Sequence, residues 1–433
     1  MIIALLQFLA DCVCLTAALI LILIGAGFIA IIARFLFDQL RGVKDPEAIA
    51  LPEDELPHVL LQIPVFNEPA VTEQALRCVA QLDWPRDRLH IQLLDDSTDE
   101  TPERAEAVAR ELRAQGADIL HVRREDRSGF KAGACAAGLA LFDAPYVAML
   151  DADFRPPANW LKRTVPLLVK DERAGFVQSR CEFANFRKNW LTRAQGLVQD
   201  GHFLIEQRTR ARAGWLFQFN GTGGIWRRET IEASGGWSDY SLCEDLDLTV
   251  RAALGGWHGV FVTEPPIPGQ VPEELRDFRR QQRRWSNGFV QVAQKTLLPL
   301  WRAPWTLTQR IAAIVLIVHQ IFFPTAALGL IALMLGALLR GSLTPYLPVL
   351  KFIGIETAIV VLGFTLPPYL ALKRGSFVDY VKTMLSVPPL MIYLAFSNGA
   401  KILQTMRGRK STFKRTPKIE TAPAAPTQVR EAE

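Results

Sequence analysis

At 433 residues, 49% of them hydrophobic and 21% charged, the chain can hold one large core and several membrane spans. A formal net charge of +5, scattered through mixed-sign sequence without a basic stripe, gives no nucleic-acid footprint. Six cysteines (Cys12, Cys14, Cys78, Cys135, Cys181 and Cys243) form neither a C-x-x-C pair nor a metal-ligand spacing and read as free thiols of a reducing compartment.

The first element is a membrane span. Asp11 and Arg34 enclose 22 uncharged residues, enough to cross a ~30 Å hydrocarbon core at ~1.5 Å per residue. The run is too long for the apolar part of a signal peptide, lacks a basic leader, and is followed by Phe35, Leu36 and Phe37 where small residues would mark cleavage. Residues 1–40 are therefore expected to form a transmembrane helix.

From 52 to 290, short apolar runs alternate with helical patterns, the signature of a mostly parallel sheet covered by helices. Strands are expected at 58–65, 89–94, 118–122, 146–150 and 175–178, with helices over 71–81, 102–114, 132–141, 159–168 and 244–254. An interfacial segment over 291–310 leads to two further spans at 311–339 and 346–372. Residues 383–400 are uncharged but carry Pro388, Pro389, Ser397 and Asn398, so 376–405 reads as an interfacial or membrane helix, the interfacial one preferred. Lys and Arg flanking the spans place the middle domain and the carboxy terminus inside. Residues 419–433, rich in Ala, Pro, Thr and Glu, are expected to be disordered.

Acidic groups gather where strands end. The strand over 89–94 runs into Asp95-Asp96, and the one over 146–150 into Asp151-Ala152-Asp153. Period-two spacing at a strand end can aim two carboxylates at one hard cation. Lys131 opens a helix after Ser128-Gly129-Phe130, where an anion would meet both the ammonium group and the helix terminus. Asn220-Gly221-Thr222 permits close backbone approach, and Glu244-Asp245 starts a helix. Gln281, Arg284 and Trp285 lie in a basic helix, where an arginine fork suits phosphate oxygens and an indole face suits a sugar ring. Joined, these groups can neutralise a departing nucleoside diphosphate while Asp245 takes a proton from an attacking hydroxyl. His121, His202 and His258 show no metal-like spacing and read as surface or packing residues.

In this order the motifs resemble the processive family-2 glycosyltransferases, most closely the cellulose-synthase-like mannan and glucomannan synthases and their bacterial relatives. The match runs from Gln62-Ile63-Pro64-Val65-Phe66-Asn67-Glu68 to Gln281-x-x-Arg284-Trp285. The resemblance implies a GT-A fold, an α/β domain with a Rossmann-like mixed sheet, on the cytosolic side of an α-helical transmembrane region in the cell inner membrane. It implies Glu68 and Asp96 at the nucleotide, Gln281 and Arg284 at the donor diphosphate, and Asp151 and Asp153 flanking the donor and a Mg²⁺ or Mn²⁺ ion, with Lys131 also among the donor-binding residues. Asp245 becomes the catalytic base, with Trp285, Glu244 and Asn220 on the acceptor side. Phe413, Thr416 and Lys418, within 406–418, match the family's gating loop. The implied reaction moves a hexose from GDP-mannose or UDP-glucose to a growing β-linked glycan. The alternative is transfer of a single sugar to a lipid. Two departures stand out: Cys243 replaces the usual threonine before Glu244, and the membrane region is shorter than in cellulose synthases, which leaves room for a partner subunit or a second copy in export.

Overall fold

The computed structural model describes residues 1–47 and 49–408; the gating segment with Phe413, Thr416 and Lys418, and the tail from 419, lie outside the described residues. The expected apolar runs become strands β1 (Val59–Val65), β2 (Leu89–Asp95), β3 (Asp118–Arg123) and β4 (Tyr146–Met149). β5 (Ala174–Phe183) is longer than expected, and two strands escaped the sequence reading, β6 (Gly224–Arg227) and β7 (His258–Gly269). All seven form one sheet in the order β3-β2-β1-β4-β6-β5-β7. β6 pairs antiparallel with β4 and β5, and the other pairings are parallel. β1 and β4 are buried on both faces, which is why they read as continuous apolar runs.

Helices α2 (Pro69–Val79), α3 (Thr101–Ala114), α4 (Phe130–Leu139) and α5 (Trp160–Lys170) lie at the expected positions. α4 is drawn onto the sheet by a buried amide pair. Gln62 Nε2 donates to Gln92 Oε1 (3.0 Å) and to the Cys135 carbonyl (3.2 Å), and Gln92 Nε2 donates to the Gly138 carbonyl (2.9 Å). The two amide N–H groups thus find acceptors at the spot that seats α4. α6 (Trp190–Gly201) and α7 (Arg208–Arg212) are joined by a π-helical stretch, His202–Gln207. They are followed by α8 (Arg228–Ala233) and α9 (Glu244–Leu254).

α1 (Ile2–Leu40) matches the first expected span. The basic helix α10 (Leu275–Arg302) runs unbroken through the expected boundary at 290. The second apolar run begins in α11 (Leu307–Val318), is interrupted by a 3₁₀ turn at His319–Ile321, and resumes as α12 (Phe322–Arg340). The restart places Pro324 in the first turn of α12, where its missing N–H leaves no helical bond unmade. α13 (Leu347–Ala371) and α14 (Phe377–Met406) are the last elements among the described residues. Among the described residues three helical stretches, Ile2–Leu40, Leu307–Arg340 and Thr344–Ala371, are long and apolar enough to cross a membrane, which fits a membrane protein.

The spans are pinned at both ends. At the end far from the sheet, Asp11 of α1 accepts hydrogen bonds from Tyr346 Oη (2.5 Å) and from Arg340. At the near end, Asp45 accepts from Arg208 Nε (2.8 Å), from Arg212 (2.9 Å) and from Thr263. Arg374, just after α13, forks onto buried Asp200 of α6 with two bonds of 2.8 Å and pairs with Glu182 of β5 at 3.0 Å. α14 docks along α10: Asn398 Nδ2 donates to Ser286 Oγ (3.3 Å), and Thr405 Oγ1 to Asn287 Oδ1 (2.9 Å).

Candidate active site

Because β1, β2 and β4 are parallel and in register, with Val65 beside Asp95 and Gln62 beside Met149, their carboxyl ends open on one side of the sheet, where ligands bind in open α/β sheets. The loops at that edge are tied together. Asn67, with φ 57°, donates its N–H to Ser97 Oγ (2.8 Å), and its Oδ1 accepts from the Thr98 N–H (2.8 Å). Glu68 follows as the buried N-cap residue of α2. The two acids after β2 part company. Asp95 is buried against His121 Nε2 (3.0 Å) and the Ser97 N–H (2.8 Å), a bracing position. Asp96 is held at the rim by both arms of Arg124, at 2.9 and 2.5 Å.

Lys131 stands where three segments meet. Its Nζ donates to Asp151 Oδ1 (2.7 Å) and to the Gly221 carbonyl (2.8 Å), and lies 3.8 Å from Glu244 Oε1. Burial disfavours its charge, but Asp151 and Glu244 more than offset that and hold the ammonium group above its ordinary value. The Thr222 hydroxyl accepts from the Asp151 N–H (2.9 Å), so the Asn220–Thr222 turn is locked to the end of β4. Gly221 has φ +74°, and a β-carbon there would lie 2.9 Å from Asp245 Oδ2 and 3.4 Å from Lys131 Nζ. The residue must be glycine because the backbone passes directly under the acid and the amine. Asp153 is buried beside this group.

Glu244 and Asp245 occupy the first turn of α9. Burial, and then the neighbouring Glu244 carboxylate, push the Asp245 carboxyl up to about 7, against the pull of Lys131 and Arg284. That value suits a group that must accept a proton near neutrality.

α10 is stitched to the segment preceding α9. The Leu242 N–H donates to Gln291 Oε1 (2.9 Å), Tyr240 Oη to the Gln291 carbonyl (2.9 Å), Ser241 Oγ to the Gly288 carbonyl (3.1 Å), and Arg284 Nη1 to the Leu242 carbonyl (3.3 Å). Cys243 is buried with its thiol 3.7 Å from the Trp285 carbonyl. A β-carbon at Gly288 would meet Cys243 Sγ at 2.3 Å. The cysteine that replaces the expected threonine thus sets how closely α10 approaches α9. Trp285 is partly buried against Cys243, Leu246 and Phe289, and Gln281 lies one helical turn before it, also partly buried.

A polar network that the sequence did not reveal supports Asn220. Its N–H donates to Gln178 Oε1 (2.9 Å), and its Oδ1 accepts from Gln218 (2.9 Å) and Gln207 (3.2 Å) and lies 3.2 Å from His202 Nε2. His202 Nδ1 is 3.1 Å from Glu206, which accepts from Arg210 Nε (3.0 Å); Arg210 in turn donates to the Ala312 carbonyl of α11 (3.0 Å). Burial would raise the Glu206 carboxyl, but Arg210 and His202 outweigh it and hold it well below its usual range. His202, expected as a surface or packing residue, therefore links the site to the membrane helices through a π-helical turn, a geometry that recurs at functional sites. A spacing rule could not find it, because the network around it joins Gln178, the 202–210 stretch, Gln218 to Asn220 and Ala312.

Comparison with known proteins agrees with this geometry. The model for glycosyl transferase family group 2 matches residues 146–372, more than half of the chain. Glucomannan 4-beta-mannosyltransferase 1 of Oryza sativa subsp. japonica is 36% identical over 305 residues, covering 68% of this chain and 58% of that protein. Glucomannan 4-beta-mannosyltransferase 1 of Cyamopsis tetragonoloba is 40% identical over 245 residues, covering 55% and 46%. The chain thus spans about half the length of these curated relatives. Among solved structures, the mannosyltransferase PcManGT of Pyrobaculum calidifontis, in complex with GDP-Man and Mn²⁺, superposes with a TM-score of 0.54 at 20% identity, over 81% of this chain and 98% of that one, a likeness of fold. With strand-end acids, a seated lysine and a helix-opening acid pair in one mixed α/β domain, and with the family match over residues 146–372, the chain belongs to glycosyl transferase family group 2.

Proposed function

We propose that the protein is a membrane-bound inverting glycosyltransferase that transfers a hexose, with GDP-mannose the favoured donor and UDP-glucose the alternative, to a growing β-linked glycan. The observation that carries this reading is the position of Asp245: a carboxyl raised to about 7, a glycine's width from the Lys131–Asp151 pair. The names of the curated relatives and of the structural neighbour's ligand support the choice of donor.

In this mechanism Glu68 and the Arg124-braced Asp96 receive the nucleotide. Lys131, Gln281 and Arg284 face the diphosphate, and Trp285 offers its ring to the acceptor sugar beside Glu244 and Asn220. Asp245 takes the proton of the acceptor hydroxyl as that oxygen attacks the anomeric carbon opposite the diphosphate. The bond to the diphosphate breaks and the configuration inverts, the logic of an inverting glycosidase with a sugar hydroxyl in place of water.

Asp151 and Asp153 supply two hard carboxylate donors, and no group of three or more His, Cys, Asp or Glu side chains able to close around an ion occurs among the described residues. This donor set fits Mg²⁺ or Mn²⁺, which Asp151 and Asp153 would hold; when bound, the ion would neutralise charge on the leaving group. The basic residues flanking the spans support a cytoplasmic catalytic domain at the inner membrane.

The test is incubation of membranes holding the protein with Mg²⁺ or Mn²⁺ and, separately, labelled GDP-mannose and UDP-glucose, with label sorted into polymer and lipid extract. Polymer label released by a β-mannanase supports the proposal. Label confined to the lipid extract replaces it with single-sugar transfer to a lipid.

A further inference from the structure

Away from the catalytic edge, an open recess of about 180 Å³ lies between the start of α6 and the α13–α14 connection, lined by Arg187, Arg193, Tyr369, Arg374, Asp379 and Thr383 among others. Tyr369 sits in the last turns of α13, whose membrane-length stretch ends at Ala371. The recess is therefore level with the bilayer surface on the catalytic domain's side.

Its charge is not balanced. Arg374 is matched by Asp200 and Glu182, and Asp379, capped by the N–H and hydroxyl of Ser376, offers a single negative charge shared between Lys382 and Arg193. Arg187 gives one N–H to the Arg374 carbonyl (3.1 Å), and Arg193 forms no side-chain ion pair with a described residue. Lys188, Lys373 and Lys382 stand exposed around the rim. Directly alongside, α14 presents Phe377, Val378, Val381 and Leu385, all exposed, at the spacing of one helical stripe. Exposed Trp190 opens α6 on the same level, an aromatic suited to the headgroup region.

We propose that this recess binds the phosphate of an anionic phospholipid in the leaflet facing the catalytic domain. Arg187 and Arg193 hold the phosphate oxygens, and the stripe of α14 lies against the acyl chains. Basic recesses beside transmembrane helices attract anionic headgroups, and an amphipathic stripe lying in the interface supplies the apolar contact. A soluble phosphate ion could share the arginine chemistry but gains nothing from the stripe.

The test uses the full chain. Native mass spectrometry with added phosphatidylglycerol compares the parent, Arg187→Gln/Arg193→Gln, Arg187→Lys/Arg193→Lys, and the remote control Arg110→Gln, with thermal melts of each. Phosphatidylglycerol occupancy should fall by roughly tenfold in the double Gln variant. It should persist in the double Lys variant and the control, and exceed phosphatidylcholine occupancy in the parent. Equal occupancy in the parent and the double Gln variant overturns the site, and displacement of the lipid by excess inorganic phosphate overturns the lipid as its occupant. A second measurement needs no variant: hydrogen exchange of the parent in nanodiscs should show protection of 185–195 and 373–385 with phosphatidylglycerol relative to phosphatidylcholine. Identical exchange in the two lipids overturns the proposal even if the variants fail to fold.

Discussion

Asp245 and Gly221 form a unit in which the glycine exists for the acid. Asp245→Asn should lower transfer by about two or more orders of magnitude while GDP-mannose binding, read by calorimetry, survives. In the parent, transfer should rise with pH through about 7 as the Asp245 carboxylate forms. Folding stability moves the other way. The unfolded carboxyl ionises near 3.8 and the folded one near 7, so the folded state holds the proton longer, and ionisation costs stability from the lower value upward, fully above the higher. Asp245→Asn removes that cost, so its melting temperature should exceed the parent's by more at alkaline than at mildly acidic pH. Gly221→Ala puts a methyl group 2.9 Å from the Asp245 oxygen at φ +74°. It should cost roughly 1–2 kcal/mol in backbone conformation and about 10²-fold in turnover through misplacement of the base. The motif acids were legible because each stands where an apolar run stops. The roles of Asp95 and Asp96 were less so: adjacent in sequence, one turns into the core against His121 and the other out to Arg124, a choice set by strand pleat and distant partners.

Helix α10 shows how one element can carry both chemistry and anchorage. Its first half bears Gln281, Arg284 and Trp285, and its middle presses Gly288 onto Cys243. Gly288→Ala should push α10 off α9 and lower transfer while α4 and its Lys131–Asp151 pair stay in place; retained GDP-mannose affinity with reduced turnover is the expected pattern. The helix was foreseen as a basic helix around Gln281–Trp285 with a separate interfacial segment from 291, since nothing in those residues announces that the same turns continue to Arg302. β7 was missed for a clearer reason. Pro265, Pro266 and Pro268 argue against a strand, yet β7 is the sheet's edge beyond β5, the position where a strand can lack donors. β6 has four residues, too few to show a period. α6, with Asn189 and Thr192 in a reciprocal cap, was overlooked because its apolar partners lie in α13 and α14 instead of in the sheet.

At the scale of the whole molecule, the spans and the catalytic domain are bolted together by charge. Arg374→Ala would leave the Asp200 carboxylate buried and alone. Removing one partner of such a pair costs about 3–5 kcal/mol, which denaturant unfolding in detergent should read as a loss of stability. The three spans were legible from uncharged runs, but the tie between Asp11 and both Arg340 and Tyr346 was not, because its members are 329 and 335 residues apart. That separation has a consequence in time. A ribosome adding about 5–20 residues per second reaches Tyr346 roughly 17–67 s after Asp11 has been made. Throughout that interval Asp11 of α1 waits without these two partners, while the strands of the sheet are being made. The tie therefore closes only after every strand of the sheet, β1 to β7, has been made.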